Sequence, residues 1–85
     1  MDAVDKHVIK TALETLRAAG GAGVKKPALL DQIDLAAGTP TTNEQREAAF
    51  SLMRDRGWID YHLEPIWHEQ RWTLTERGLT ALEGM

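Results

Sequence analysis

No cysteine occurs among the 85 residues, so neither a disulfide framework nor a thiolate metal site can hold the chain together. Serine is nearly absent too. Ser51 is the only one, and no base stands at a readable spacing from it, which leaves no serine or cysteine nucleophile for covalent catalysis; a chain this short also rarely encloses a pocket. The expectation is a protein that is not an enzyme, with no cofactor and no small-molecule substrate. No apolar run approaches the roughly 20 residues of a membrane span. Met1 to Lys10 alternates charged and apolar groups and lacks the apolar stretch of a secretion signal, so a cytoplasmic protein without a membrane partner is expected. A surplus of positive charge is missing as well. Ten Lys and Arg stand against 13 Asp and Glu, for a formal net charge of -3. A domain that holds DNA by its phosphates needs a basic face, so this chain must gather its cations locally to make one.

What is present reads as one folded domain over residues 1–85. Apolar residues make up 42% and charged residues 27%, a balance that suits one small core and argues against disorder. Val4, Val8, Ile9, Ala12, Leu13, Leu16 and Ala19 recur three and four apart, which predicts a helix from about Asp2 to Ala19. Asp2 and Asp5 suit its positive end and Arg17 its negative end. Gly20, Gly21 and Gly23 stop it. These glycines do not form a phosphate loop, because no Gly-Lys-Ser or Gly-Lys-Thr follows and no strand precedes them. A second helix begins at Lys26, with Pro27 in its first turn. Leu29, Leu30, Ile33, Ala36 and Ala37 form its buried side, and Gly38 and Pro40 end it. Thr41 and Thr42 each stand three residues before a partner, Glu44 and Gln45, at capping-box spacing, which starts a third helix. Its inward stripe is Ala49, Leu52 and Met53, edged by Gln45 and the stem of Arg56. The opposite face is Asn43, Glu44, Glu47, Ser51 and Arg54, flanked by Phe50 and Arg46.

Two strand-like runs follow, Trp58 to Leu63 and about Trp67 to Leu74, with Glu64 and Pro65 in the turn. Ile59 and Leu74 are expected in the core, Trp58 or Trp72 at its edge, and Val24 as a brief strand beside the hairpin. Thr75 caps a last short helix that returns Leu79 and Leu82 to the core and ends at Gly84. His62 and His68 would face each other if the turn centred on Pro65. Glu64 or Glu69 would then join them, but no third strong ligand is fixed by the spacing, so no metal is expected.

The third helix ends in Arg56, Gly57, Trp58 and Ile59, and the chain returns through Trp72, Thr73, Leu74, Thr75, Glu76, Arg77 and Gly78. That pair of segments resembles the third helix and wing of a winged helix-turn-helix domain, such as those of MarR-like and PadR-like bacterial regulators. The resemblance implies a mainly α fold with a small β-hairpin: a three-helix bundle, a two-stranded wing and a short C-terminal helix. It also implies a DNA-binding or transcription-regulator-like function, with double-stranded DNA as partner. Asn43 would read adenine, and Arg46 would read guanine or hold a phosphate. Lys25, Lys26, Thr42, Arg54 and Arg71 complete the implied nucleic-acid contacts. The same scaffold also serves in protein recognition. Two features favour that alternative, a protein-interaction module in a larger assembly. Glu44 and Glu47 sit on the outward face, as a cap and a solvated group or as repulsive charges. The wing tip carries Leu63, Ile66 and Trp67, with Arg71 its only permanent cation. Trp67 either covers the hairpin or anchors a protein partner or homodimer. No long dimerisation helix follows, so a dimer would use the first helix, the last turn or the wing.

Overall fold

The spacing of apolar groups in the first helix puts Val8, Ile9, Ala12, Leu13 and Leu16 on one buried side of α1 (Lys6–Ala19), and the other elements pack around that side. The computed structural model describes residues 6–38 and 42–85; the expected roles of Asp2, Val4, Asp5, Pro40 and Thr41 lie outside them. A 3-10 turn (Gly20–Ala22) follows α1, then α2 (Lys26–Ala37), α3 (Asn43–Asp55), β1 (Ile59–Leu63), β2 (Gln70–Leu74) and α4 (Glu76–Glu83). This is a winged helix. Ala12, Leu13, Leu16, Leu29 and Met53 are fully buried, and Ile33, Phe50, Ile59, Trp72 and Leu82 close the core around them.

The core is centred differently on α3 than the periodicity implies. Phe50, expected beside the outward face, is 1% exposed. Trp72 is the cause: β2 turns this indole inward, where it meets the Phe50 ring edge-on at 4.7 Å. The ring fills the space over α3 and shifts the core to Ala49, Phe50 and Met53, leaving Leu52 half-buried at its margin. Trp58, Leu30, Ala36, Ala37 and Leu74 also pack at the margin, partly buried. Leu79, expected inside, is exposed on α4, and Leu82 alone of that pair enters the core.

Local caps fix where the helices start. Thr42 accepts from the Gln45 N–H at 3.1 Å, and Gln45 Oε1 accepts from the Thr42 N–H at 2.8 Å, which is a complete capping box. At α4 the Thr75 hydroxyl accepts from the Gly78 N–H at 3.0 Å and donates to the Gly57 carbonyl, while the Thr75 N–H donates to the Trp58 carbonyl. These bonds join the segment Arg56–Ile59 to the segment Trp72–Gly78. Gly78 is required at this junction, because a Cβ there would lie 2.1 Å from the Trp58 carbonyl oxygen.

β1 and β2 pair antiparallel from Ile59 opposite Leu74 to Leu63 opposite Gln70. The second strand starts at Gln70, three residues later than the β-favouring run from Trp67. Glu64 to Glu69 form the turn, closed by the Glu64 N–H to the Glu69 carbonyl and the His68 N–H to the Glu64 carbonyl. In place of the expected brief strand, Val24 makes a single antiparallel bridge to Trp72 through two hydrogen bonds, at 2.9 and 2.8 Å, and the sheet keeps two strands. A Cβ on the preceding Gly23 would come 2.9 Å from the Arg71 Cβ, so glycine allows this close crossing.

Candidate nucleic-acid interface

The bridge between Val24 and Trp72 decides what lies beside the wing. It brings Lys25, the residue that precedes α2, next to the segment around Arg71. There the Lys25 ammonium meets Glu69 Oε2 at 2.9 Å, and the Arg71 guanidinium reaches the same oxygen at 4.0 Å. Arg71 also approaches Glu64 at 3.4 Å. The Lys25 ammonium, bonded to Glu69, holds that carboxyl below the usual carboxylate range, and the Arg71 charge adds to the effect. Glu69 therefore stays ionised wherever the fold persists at neutral pH.

One residue along, Lys26 reaches from the start of α2 to α3. Its ammonium lies 3.1 Å from Glu47 and 4.7 Å from the centre of the Phe50 ring. Arg46, half-buried between α3 and α2, lies 3.5 Å from Asp34 and also donates to the amide oxygen of Asn43. Thr42 spends its hydroxyl oxygen on the helix cap, with its hydroxyl proton still available. These contacts fall into three groups: Lys25 and Arg71 share Glu69 beside the wing turn, Lys26 pairs with Glu47 on α3, and Arg46 pairs with Asp34 towards the far end of α2. Arg54 stands apart. It pairs with its neighbour Asp55 at 3.6 Å, two turns beyond Arg46, or about 12 Å along the helix.

Each of these cations has an acidic partner within the fold. The partners Glu69, Glu64, Glu47 and Asp34 match Lys25, Arg71, Lys26 and Arg46 one for one. Sequence reasoning placed Glu47 on this face and did not place Asp34, Glu64 or Glu69 against the cations. The signal lay in Val24, since its bridge to Trp72 puts Lys25 beside residues 69–71.

Beside these carboxylates the wing tip is apolar. Leu63, Ile66 and Trp67 are 53%, 75% and 72% exposed, so Trp67 does not cover the hairpin. The histidines do not face each other either: His62 stands opposite Arg71, and His68 sits in the turn with a positive φ of 57°. Among the described residues no group of three His, Cys, Asp or Glu side chains could hold a metal ion. A shallow cavity of about 640 Å³ between the end of α3 and α4 is lined by Arg56, Trp58, Glu76, Arg77, Thr80 and Ala81. No helix among the described residues is long and apolar enough to cross a membrane.

No protein-family profile matches the sequence, and no curated protein matches it significantly. Among solved structures, SSV1 F-93 superposes with a TM-score of 0.67 over 94% of this chain and 82% of the other, at 19% identity. At that identity the similarity is one of fold, and it covers the bundle and the wing alike.

Proposed function

We propose that this protein is a small non-enzymatic DNA-binding protein of the transcription-regulator type. The observation that supports the reading is that Arg46 and, through its pairing with Glu47, Lys26 stand at the first turns of α3, while Lys25 and Arg71 meet beside the start of α2. In a chain with a net charge of -3, these four cations are the ones that would meet a duplex. In that pose Asn43 and Arg46 face base edges in the major groove, while Lys25, Lys26, Thr42 and Arg71 face phosphates. Arg54 lies too far along α3 to join them and would touch DNA only at its periphery.

Phosphate contacts make affinity fall with salt. Binding to mixed-sequence duplex is expected to weaken steeply between about 50 and 200 mM salt, and Lys26→Ala or Arg71→Ala to lower the salt slope by about one each. Absence of binding at low salt by folded protein at tens of micromolar would overturn the reading, because non-specific binding is roughly 0.1 mM or tighter.

A second reading rests on the wing tip. Leu63, Ile66 and Trp67 are each exposed at this end of the hairpin, and such apolar groups suit a protein partner or a second copy of the chain better than a phosphate backbone.

A further inference from the structure

We infer that Lys25 and Arg71 form a phosphate-binding clamp, and that in the free protein Glu69 fills it as an internal stand-in for the phosphate. This deepens the DNA-binding reading and rests on it. Two observations carry the clamp. Lys25 and Arg71 come from different elements, the approach to α2 and strand β2, yet both converge on one oxygen, Glu69 Oε2, at 2.9 and 4.0 Å. The backbone that sets this convergence is rigid: Val24 and Trp72 exchange two hydrogen bonds, and Gly23 permits the close crossing beside Arg71. Glu69, by contrast, stands in the wing turn with its side chain 43% exposed, so its carboxylate can swing into solvent without opening the core.

The charge arithmetic favours exchange. With Glu64 and Glu69 both in place, Lys25 and Arg71 are neutralised, and a phosphate gains little by approaching. When Glu69 leaves, two cations face Glu64 alone and the site becomes net positive. A phosphate oxygen can then take the place of Oε2, accept from the Lys25 ammonium as Oε2 does, and draw the Arg71 guanidinium in from 4.0 Å. Arg71 adds a planar fork suited to that geometry. The internal carboxylate weakens binding at every duplex alike, since a phosphate carries no sequence information. It therefore lowers non-specific affinity more than it lowers discrimination by α3.

Glu69→Gln tests this while keeping the shape of the side chain. Glu83→Gln, at the exposed end of α4, changes the net charge equally and serves as the control. On mixed-sequence duplex at low salt, Glu69→Gln is expected to bind on the order of fivefold tighter with a salt slope steeper by about one, and Glu83→Gln to match the unsubstituted protein. Adding Lys25→Ala to Glu69→Gln removes the gain. Equal tightening by both single variants, or duplex binding that Glu69→Gln does not change, would overturn the clamp and leave the DNA-binding reading standing. Inorganic phosphate, titrated into Glu69→Gln and followed by the NMR signals of Lys25 and Arg71, gives the converse separation. Shifts at both residues without duplex binding would support the clamp and overturn the DNA-binding reading; no shift and no duplex binding would overturn both.

Discussion

At position 50 a phenyl ring lies between the edge of an indole and an ammonium group, fully inside the fold. Trp72 approaches it at 4.7 Å and Lys26 at the same distance from its centre. Replacing it with alanine deletes the group on which α2, α3 and the wing meet. Phe50→Ala is expected to cost about 3 to 5 kcal/mol, and Leu52→Ala clearly less, because Leu52 is only half-buried and its cavity opens to solvent. Urea denaturation of both variants checks the order; a larger loss at Leu52 would return the core to the other side of α3. Against a total stability of roughly 5 to 15 kcal/mol, the Phe50 variant is close to unfolding at room temperature. Position 50 was not legible from the helix itself. Periodicity gives the phase of a stripe from its own residues, and the volume that moved the stripe arrives with Trp72 on a later strand.

The elements differ in how openly the sequence declares them. The starts of α3 and α4 follow from local chemistry, since Thr42 with Gln45 and Thr75 with Gly78 bond across three residues. Both are readable for that reason. The hairpin depends on register, which local composition specifies weakly. Trp67 favours a strand by type, yet the turn runs on to Glu69, with His68 in a left-handed conformation that no glycine announces. Register also decided the candidate interface, because the pairing of Val24 with Trp72 sets Lys25 against Glu69. The junction between Arg56–Ile59 and Trp72–Gly78 gives the element-scale prediction. Gly78→Ala places a methyl group 2.1 Å from the Trp58 carbonyl oxygen, so α4 must move away from the strand, at an expected cost of about 1 to 3 kcal/mol or more. Thr75→Ala loses the cap, about 1 kcal/mol, together with the bond to Gly57. Thermal melts showing either variant as stable as the unsubstituted protein would mean that this junction does not hold the wing to the bundle.

Across the whole molecule, charge and apolar surface are kept on different faces of the wing. Arg71 stands opposite His62, one pair from the turn and on the other face from its neighbour Trp72, inside a set of ion pairs. From the core outward, one side of the hairpin becomes a line of apolar groups: Ile59 is buried, Tyr61 leans on Trp72 at 5.1 Å, and Leu63, Ile66 and Trp67 are exposed. Exposed apolar groups at a tip contribute little to folding, because unfolding hardly changes their contact with water. Trp67→Ala is therefore expected to shift stability by no more than about 0.5 kcal/mol, as a surface substitution. If the tip is an interface, the same change removes self-association or partner capture, since an anchoring tryptophan contributes about 2 kcal/mol or more of binding. Sedimentation over a concentration series, beside a thermal melt of the same variant, reads both quantities. Trp67→Ala that melts early yet associates unchanged would assign the tip to the fold and withdraw the protein-partner reading. Unchanged melting with lost association would establish the wing tip as a contact surface, distinct from the cations paired with Glu64 and Glu69.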